Sequence, residues 1–574
     1  MSRLDALSRK ASQVLKDPVL QRWLVGRAFG RWAGPPAFVA GVPPYLAGES
    51  LSLPEGFDTA LPEMAEAEPP AMPITLRLPG IELPVHPDQV DAVVGRSFAD
   101  TETLLGLHRF AWLPLMPDVP PAWVAMFWRA WVARFGAPDD SWAWHPYTAA
   151  ERAINLLAFA RRLGLPGPRA QTLVLLARHA VEIARRLEYF GPHYTGNHLA
   201  NNGRGLFLIG LALGWKACAD MGGRILLEEA KRIFRPSGVL SEGSSHYHVL
   251  LTRGYASAWL AARRHGRAET AEFEAVVHRA CSVVPRLLLS GGLPLVGDIS
   301  PDCPPEHLAG LLPDRDMDSG WVSLLDDEDK TALRALRDGL APVDAKMLAR
   351  DGWLSVKSAP WEALTYLSPE GWAPMPGHGH QDMGAAEIHW CGAPLFIDPG
   401  RGAYGTEGDA AHYVSAVVHG GLSLDDADPY PPNRPYYHPD FRRLVGGEPP
   451  LLEATECGMR LVYGGYRRLG APFVERCWRF SRQGFTITDT VDGSSRRRVT
   501  RRLVTPWPVS VQGQVAMVSA PAGMVRVQAD GLVPVVRPMT RWTAYGRGEM
   551  ASAIEFTTPA SRLPWSGTLR VEAD

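Results

Sequence analysis

Residues 123–131 read Trp-Val-Ala-Met-Phe-Trp-Arg-Ala-Trp, and they establish the helical character of the central part of the chain. Trp123, Phe127 and Trp131 recur every four residues, which places large apolar side chains on one face of a helix. Helical periods of this kind continue from about residue 118 to 345, with short Gly/Pro connections and no strand pattern between them. The pattern predicts stacked helical hairpins, arranged either as an open solenoid or as a closed toroid.

The pattern differs on both sides of this helical section. Residues 1–33 predict one or two short helices, and the Pro-rich stretch that follows predicts an irregular wrap with a few short strands. Towards the C-terminus, alternating runs such as Phe485 to Val491 end in turn signals such as Asp492-Gly493, which is typical of antiparallel strands. We therefore predict an α+β multidomain chain in which helical hairpins precede an antiparallel β-sandwich. The predicted domain ranges are 1–117, 118–345 and 346–574.

Composition narrows the function classes. The chain has 574 residues, 46% hydrophobic and 21% charged, with a net charge of −2, which describes a globular protein of several domains and not a nucleic-acid binder. No apolar run approaches the length of a membrane helix, and residues 1–30 contain no apolar core of signal-peptide type. A cytoplasmic protein without a membrane span is therefore expected. The six cysteines are scattered without a C-x-x-C pair, so we expect free thiols, mostly buried.

Two histidines lie one residue apart in the glycine-flanked segment from Pro376 to Asp382. His378 and His380 would share a face if the backbone is extended, and would diverge if it forms a loop. His380, Asp398 and His419 together offer nitrogen, oxygen and nitrogen ligands that suit zinc. Asp398 could equally cap the Pro-Gly turn that follows it.

Polar residues also open a nearly continuous apolar helix that begins near residue 200. Asn197 is either an ordinary N-cap or part of a functional cluster with His198 and Asn201. Buried amides must find hydrogen-bond partners, and a substrate carboxylate is one candidate. Asn201 follows His198 by three residues, so both side chains can face the same way.

A second polar segment, Ser241 to His248, precedes an apolar helix predicted over 249–265. Ser244 is a candidate cap for that helix. Tyr247 is either a core aromatic with a satisfied hydroxyl or a cleft residue whose phenol acts as base or acid. Arg152 is either solvated or placed to bind a carboxylate or sulfate with both arms of its guanidinium. Several tryptophans either fill the core or stack on sugar rings, namely Trp112, Trp123, Trp128, Trp142 and Trp144.

Taken together, these segments resemble the heparinase II/III-like polysaccharide lyases, which include oligoalginate lyases. The likeness covers about residues 100–425 in order and rough spacing. One departure is that His419-Gly420-Gly421 stands where the family has His-Asn-Thr. The segments that carry the likeness are Leu107 to Leu113, Asn197-His198 with Asn201, Glu242-Gly243-Ser244 with Tyr247-His248, Gly377 to Asp382, and Ile397 to Gly400 with His419.

The resemblance implies an (α/α) toroid followed by an antiparallel β-sandwich, with a cleft between them. It implies β-elimination on a uronic-acid-containing polysaccharide, which leaves a 4,5-unsaturated uronate end. Tyr247 would then be base, acid or both in turn, and His378 the second proton-transfer group. The remaining implied roles are carboxylate neutralisation by Asn197, His198 and Asn201, substrate contacts from Arg152 and His248, and a structural zinc ion held by His380, Asp398 and His419.

The implied partner is an anionic, uronate-containing polysaccharide or oligosaccharide, such as a glycosaminoglycan, alginate or a bacterial exopolysaccharide. No organic cofactor and no nucleic acid are expected. The resemblance leaves the oligomeric state open, with a dimer as one expectation, and adds a periplasmic location as an alternative. Two other functions stay open, a uronate C5-epimerase on the same scaffold and a non-catalytic glycan-binding or polysaccharide-assembly protein.

Overall fold

The structure is a computed structural model that describes residues 18–31, 39–66, 68–192, 194–371, 377–431, 441 and 449–573. The helices predicted at the N-terminus fall mostly outside these ranges, as does Pro376 of the histidine segment. Within the described ranges, every helix is too short or too polar to cross a bilayer.

The N-terminal half is helical apart from one small hairpin. Its strands are β1 (Ile74–Leu78) and β2 (Ile81–Val85). The helices before the central series are α1 (Pro18–Ala28), α2 (Val90–Val94) and α3 (Thr101–His108). The central series is α4 (Pro121–Phe135), α5 (Pro146–Leu163), α6 (Arg169–Arg185), α7 (His198–Ala212), α8 (Lys216–Ile233), α9 (Ser245–Arg264) and α10 (Thr270–Leu287). The last helices before the sheets are α11 (Gly320–Ser323), α12 (Asp327–Asp338) and α13 (Ala345–Arg350).

Consecutive helices of the central series pack in pairs, as the periodicity predicts. The aromatic face of α4 is buried, with Trp123, Phe127 and Trp131 each at most 2% exposed. Helices α7 and α8 pack most closely, because glycines allow their backbones to approach. A Cβ atom at Gly210 would lie 2.3 Å from the backbone nitrogen of Ala219, so no larger residue fits there without a shift.

The C-terminal part is built from antiparallel strands in three larger sheets. Two of these sheets have four strands each, and the third has eight. The first strands are β3 (Trp353–Ser358), β4 (Trp361–Tyr366), β5 (Glu387–Trp390), β6 (Ala393–Phe396) and β7 (Leu422–Leu424), with helix α14 (Gly408–His412) between the last two. Next come β8 (Leu451–Thr455), β9 (Gly458–Tyr463), β10 (Val474–Phe480), β11 (Gly484–Val491), β12 (Arg496–Arg497), β13 (Val499–Thr505) and β14 (Val509–Gln512). The last are β15 (Val515–Ala520), β16 (Gly523–Ala529), β17 (Val535–Ala544), β18 (Arg547–Thr557), β19 (Ser561–Arg562) and β20 (Trp565–Ala573). The strand orders of the two four-stranded sheets are β3-β4-β5-β6 and β17-β18-β13-β7. The strand order of the eight-stranded sheet is β14-β15-β16-β20-β11-β10-β9-β8.

The predicted fold class is confirmed, with a helical toroid followed by antiparallel sheets. The alternation predicted in β11 is present, because Phe485, Ile487 and Val491 face one apolar core with the side chains of neighbouring strands. The predicted start of α9 was wrong. That helix begins at Ser245 and not at residue 249, because the Ser244 hydroxyl accepts a hydrogen bond from the Tyr247 backbone N–H at 3.0 Å. The cap therefore places Tyr247 and His248 in the first turn of the helix.

Candidate active site

An open cleft of about 430 Å³ separates the ends of the toroid helices from the loops of the sheet domain. The helical side supplies Tyr147, Asn197, His198 and Tyr247 to its wall, and loops after α10 and among the sheet strands supply Asp298, His378, Arg401 and Tyr404. Most of the residues predicted for catalysis therefore lie around one space, although they come from distant parts of the chain.

Tyr247 and His378 form the centre of this cleft. Their rings stack with centroids 3.4 Å apart and an interplanar angle of 15°. The Tyr247 hydroxyl lies 2.8 Å from the Tyr404 hydroxyl, which donates to the carbonyl of Ile299 at 3.1 Å. Tyr247 is then the donor to Tyr404. Burial raises the pKa of Tyr247 well above its ordinary value, so its phenol keeps its proton at neutral pH.

His378 is oriented by a buried carboxylate. Its Nδ1 donates to Oδ2 of Asp298 at 3.2 Å, and its Nε2 lies 3.1 Å from the side-chain nitrogen of Asn197. Burial would raise the pKa of Asp298, but hydrogen bonds from His378 and His380, with the charge of Arg401, hold it well below the ordinary value. Asp298 is therefore ionised and accepts from Nδ1 of His378, which leaves Nε2 directed at the side chains of Asn197 and Glu242, whose Oε2 lies 3.4 Å away.

Asn197 stands at the N-cap position of α7 but does not act as a cap. Its side chain makes no capping hydrogen bond. The amide donates instead to Oε2 of the buried Glu242 at 2.7 Å and faces Nε2 of His378. Asn201 lies one turn later, 7% exposed, and its amide nitrogen has no partner among the residues that the structure describes. Asn201 lines a smaller cavity behind the cleft and not the cleft itself, so its amide is a free donor there.

His198 forms the outer edge of the same wall. Its Nδ1 donates to Oε1 of Glu188 at 2.7 Å, and its ring lies beside Tyr147 with centroids 4.6 Å apart. Burial would lower the pKa of His198, but the carboxylate of Glu188 raises it above the ordinary value. The imidazole therefore carries positive charge over a wider pH range than a free histidine, which favours an anionic ligand.

Arg152 and His248 do not reach the cleft, which corrects their prediction as substrate contacts. Arg152 has no exposed surface, and its guanidinium donates to the carbonyls of His108 and Ala143 at 3.1 and 2.7 Å. His248 is also fully buried, where it accepts from the Leu240 backbone N–H and donates to the Ala280 carbonyl. Both side chains satisfy backbone groups in the toroid core, and neither can touch a polysaccharide.

The tryptophans divide clearly between core and cleft. Trp142 is 49% exposed and lines the cleft next to His145. The other four named above are buried in the helical core. The structure therefore selects one indole from the predicted set as a surface that a sugar ring can reach.

A possible metal site lies behind His378. The potential ligand atoms of His380, Asp398 and His419 all lie within 4.8 Å of one another. Nδ1 of His380 is buried without a partner among the described residues, and Oδ2 of Asp398 lies 3.1 Å from Nδ1 of His419. An orphaned imidazole nitrogen beside a carboxylate and a second imidazole fits a divalent metal. Asp398 also caps its turn, since Oδ1 accepts from the Gly400 backbone N–H at 2.8 Å.

The two histidines of the glycine-flanked segment share one carboxylate but serve different spaces. His380 donates from Nε2 to Oδ1 of Asp298 at 2.9 Å, while His378 uses the other oxygen of that carboxylate. His378 then faces the cleft and His380 faces the possible metal site.

Sequence reasoning missed Asp298, Tyr404 and Glu188. Asp298 and Tyr404 lie in loops without a recognisable spacing to the other site residues. Glu188 follows α6 and is an ordinary helix-end carboxylate in the sequence. Only a glycine next to Asp298 and glycines around Tyr404 marked these loops as special.

Comparisons with known proteins agree with this architecture. Residues 341–560 match the family model described as Heparinase II/III-like, C-terminal. Among solved structures, "Heparinase III" aligns with a TM-score of 0.59 at 14% identity, covering 83% of this chain and 78% of that chain. The "Heparinase III-BT4657 gene product" aligns with a TM-score of 0.57 at 16% identity, covering 83% and 79%. A mutant of the heparan sulfate lyase HepC from Pedobacter heparinus gives 0.54 at 16% identity, covering 83% and 78%.

No curated protein sequence matches the chain. At these low identities the solved structures show a shared fold and no more, and the sequence match is confined to residues 341–560. Residues 341–560 are therefore similar to the C-terminal part of the heparinase II/III-like family.

Proposed function

We propose that this protein is a polysaccharide lyase that cleaves a uronic-acid-containing polysaccharide or oligosaccharide by β-elimination. The observation that carries the proposal is the stacked pair of Tyr247 and His378, which brings a protonated phenol and an imidazole acceptor to one point in an open cleft. The similar solved structures, named as heparinase III and heparan sulfate lyase, support the same reaction class.

β-Elimination requires that negative charge can develop on the uronate carboxylate next to C5. Donors that are already fixed in place stabilise this charge without reorganisation. The positively charged ring of His198 is a donor at the cleft wall. The amide nitrogen of Asn201, without a partner among the described residues, is a donor in the smaller cavity behind the cleft. Asn197 is committed to Glu242 and His378, so its main role in this scheme is to position His378.

His378 serves as the base in this proposal. Its Nε2 takes the proton from C5, and the ionised Asp298 stabilises the imidazolium that forms. The two electrons of the C5–H bond then form the C4=C5 double bond as the bond from C4 to the glycosidic oxygen breaks.

Tyr247 serves as the acid. Its phenol keeps its proton because burial raises its pKa, and it donates that proton to the departing glycosidic oxygen. Tyr404 holds the hydroxyl in place through the contact of 2.8 Å. After the products leave, the phenolate of Tyr247 takes a proton from solvent and the imidazolium of His378 returns one to solvent. The products are an unsaturated uronate and a free hydroxyl on the leaving sugar.

We further propose that His380, Asp398 and His419 hold a structural zinc ion. A bound zinc ion would supply positional rigidity and no redox chemistry. His380 contacts Asp298, which in turn orients His378, so a fixed His380 keeps the base in register with the cleft.

The test is incubation of the purified protein with heparan sulfate, chondroitin sulfate, hyaluronan, alginate and bacterial exopolysaccharides. Absorbance in the ultraviolet band of unsaturated uronates should rise with at least one of them, and the Tyr247→Phe variant should remove most of that rise. No absorbance change across the panel would count against the lyase. Deuterium entering C5 from heavy water without chain cleavage would instead identify a C5-epimerase.

A further inference from the structure

A second, smaller cavity, of about 40 Å³, lies inside the helical domain behind the cleft. The two spaces are neighbours, since Tyr147, Asn197, Ser300 and Asp302 line both. Helices α7 and α9 form part of its wall. The cavity and the cleft are therefore separated by no more than the side chains that they share.

Arg253 from α9 lines this cavity and is only 8% exposed. Its Nε has no hydrogen-bond partner, and its guanidinium forms no ion pair, within the part of the chain that the structure describes. A buried guanidinium offers five N–H donors and a full charge, and leaving both uncompensated is costly. The arrangement therefore calls for an acceptor from outside the chain.

Arg204 from α7 lies beside Arg253. Its side chain passes over Gly254, where an added Cβ would lie 3.7 Å from Nη1 of Arg204. Nη1 donates to Oε1 of Glu151 at 3.3 Å, but Nε of Arg204 has no partner among the described residues. Burial lowers the pKa of Arg204, and Arg253 lowers it further despite the opposing effect of Glu151. Two guanidinium groups thus meet at one wall of the cavity.

Both carboxylates of the cavity are paired with arginines, although Oδ1 of Asp302 is buried without a partner among the described residues. Glu151 accepts from Arg204, and Asp302 accepts from Arg109, which also pairs with Glu102. Arg253 is left as the cation that no carboxylate compensates within the described ranges. Nε2 of His307, on the same wall, is likewise buried and without a partner among the described residues.

We infer that this cavity is an anion subsite, in which Arg253 and the free Nε of Arg204 bind a carboxylate or sulfate group. That the anion belongs to a sugar next to the cleaved bond rests on the proposed function, whereas anion binding itself does not. A planar guanidinium binds a carboxylate or sulfate through two parallel N–H donors, which suits a buried site with several unused donors. The substrate would then carry an anionic group on a second sugar besides the uronate at the reacting centre.

Calorimetric titration of the full chain tests this, with sodium sulfate in one arm and sodium glucuronate in the other, at ionic strength fixed with chloride. Saturable binding in the sulfate arm alone would indicate a sulfated sugar, and binding in the glucuronate arm a second uronate. Arg253→Gln should weaken that binding at least about tenfold, the loss expected for one charge-assisted pair. Arg263→Gln, which removes an exposed arginine from the same helix, should leave it unchanged. Absence of binding in both arms would overturn the subsite.

Two further measurements test the subsite even if Arg253→Gln folds poorly. Arg253→Lys keeps the charge but loses the paired donors, so it should bind more weakly than wild type. Wild-type crystals soaked in sodium selenate should show anomalous selenium signal within hydrogen-bond distance of Arg253, and a signal found only elsewhere would contradict the assignment. Neither titration nor soaking needs turnover, so an inactive protein would reject the lyase without deciding the subsite. Lyase activity without anion binding would reject the subsite alone.

Discussion

Asn197 matches the helix N-cap pattern in the sequence, but its side chain makes different contacts in the structure. It occupies an N-cap position where asparagine is favoured, but its amide donates to Glu242 and faces His378. Arg152 shows the reverse case, since a residue that looked available for substrate is locked against backbone carbonyls and the ring of Trp131, 3.9 Å from its centroid. Both outcomes depend on which direction a helix faces in the folded toroid.

The proton-transfer roles of Tyr247 and His378 give the prediction at this scale. Tyr247→Phe removes the hydroxyl that donates to Tyr404 but keeps the ring that stacks on His378. His378→Ala removes the acceptor nitrogen. Each change should reduce kcat by about 10²-fold or more, the usual contribution of a general acid or base. Steady-state kinetics on the best substrate of the panel provides the measurement.

Tyr463→Phe is the matched control, because Tyr463 is buried in the sheet core away from the cleft. Its kcat should stay within about twofold of wild type, as expected for a residue outside the reaction. Turnover near the wild-type level in both Tyr247→Phe and His378→Ala would remove this pair from the mechanism.

At the scale of elements, the loop after α6, the start of α7 and the turn that carries His378 are each held by a small polar cluster. Glu188 joins the loop to α7 by accepting from His198 and from the side chain of Asn202 at 3.0 Å. The turn with His378 and His380 is held from behind by Asp298. These clusters position loops that have no regular hydrogen-bond ladder of their own.

The Glu188–His198 pair predicts a pH-dependent stability. Burial would raise the pKa of Glu188, but His198 and Asn202 lower it from 4.5 to about 2, so its contribution is present above pH 4.5 and is lost as the pH falls towards 2. The pKa of His198 is raised above 6.5, so its contribution is complete below pH 6.5 and is lost as the pH rises through the raised value.

Glu188→Gln should therefore lower the free energy of unfolding most between pH 4.5 and 6.5, by about 2 kcal/mol, and less on either side. Urea unfolding across a pH series measures the difference. Glu228→Gln, which removes an exposed pair with Lys231, should give a small difference without this maximum. A Glu188→Gln difference that does not change with pH would contradict the pair.

The metal site gives a second prediction at this scale. Wild-type protein should contain one zinc ion per chain, and His419→Ala should lose it together with about 4 kcal/mol of stabilisation at a thousandfold excess of metal over Kd. Elemental analysis and thermal unfolding with and without chelator measure both effects. His265→Ala, an exposed histidine at the end of α9, should retain the metal. A metal-free wild type with a fully stable His419→Ala would refute the site.

At the scale of the whole molecule, the cleft exists only because the toroid and the sheet domain meet there. Trp142 stands on the toroid side and is exposed to the cleft, so it offers an apolar face on which a sugar ring can stack. Among the described residues, no hydrogen bond joins Trp142 to Tyr247 or His378. It should therefore contribute to binding and not to proton transfer.

Trp142→Ala should raise KM about tenfold with kcat nearly unchanged, the pattern of an interaction made equally in the ground and transition states. Trp142→Phe keeps an aromatic face and should recover most of the affinity. Kinetics on a long and a short substrate of the same polysaccharide would measure both variants. An unchanged KM in Trp142→Ala would show that sugar does not bind at this surface.

The sequence by itself determined the two-part architecture, because helical periods and strand alternation are local patterns set by which face of each element is buried. The aromatic period of α4 and the alternation of β11 therefore predict their elements correctly. The sequence also marked Asn197, His198, Asn201, Tyr247 and His378, since these polar groups interrupt apolar elements or glycine turns. The scattered cysteines were predicted to be free thiols, and all six are free in the structure. Only Cys218, Cys281 and Cys303 are buried, whereas most of the six were expected to be.

Only the tertiary structure decided which of these groups share a space. Asp298 and Tyr404 come from loops far along the chain from Tyr247, and nothing local states that one orients His378 and the other accepts from Tyr247. The same holds for Arg253, an ordinary helix residue in the sequence, whose guanidinium is buried without a carboxylate partner among the described residues. Hydrogen bonds and charge compensation depend on distances across the toroid, and residue order along the chain does not fix those distances.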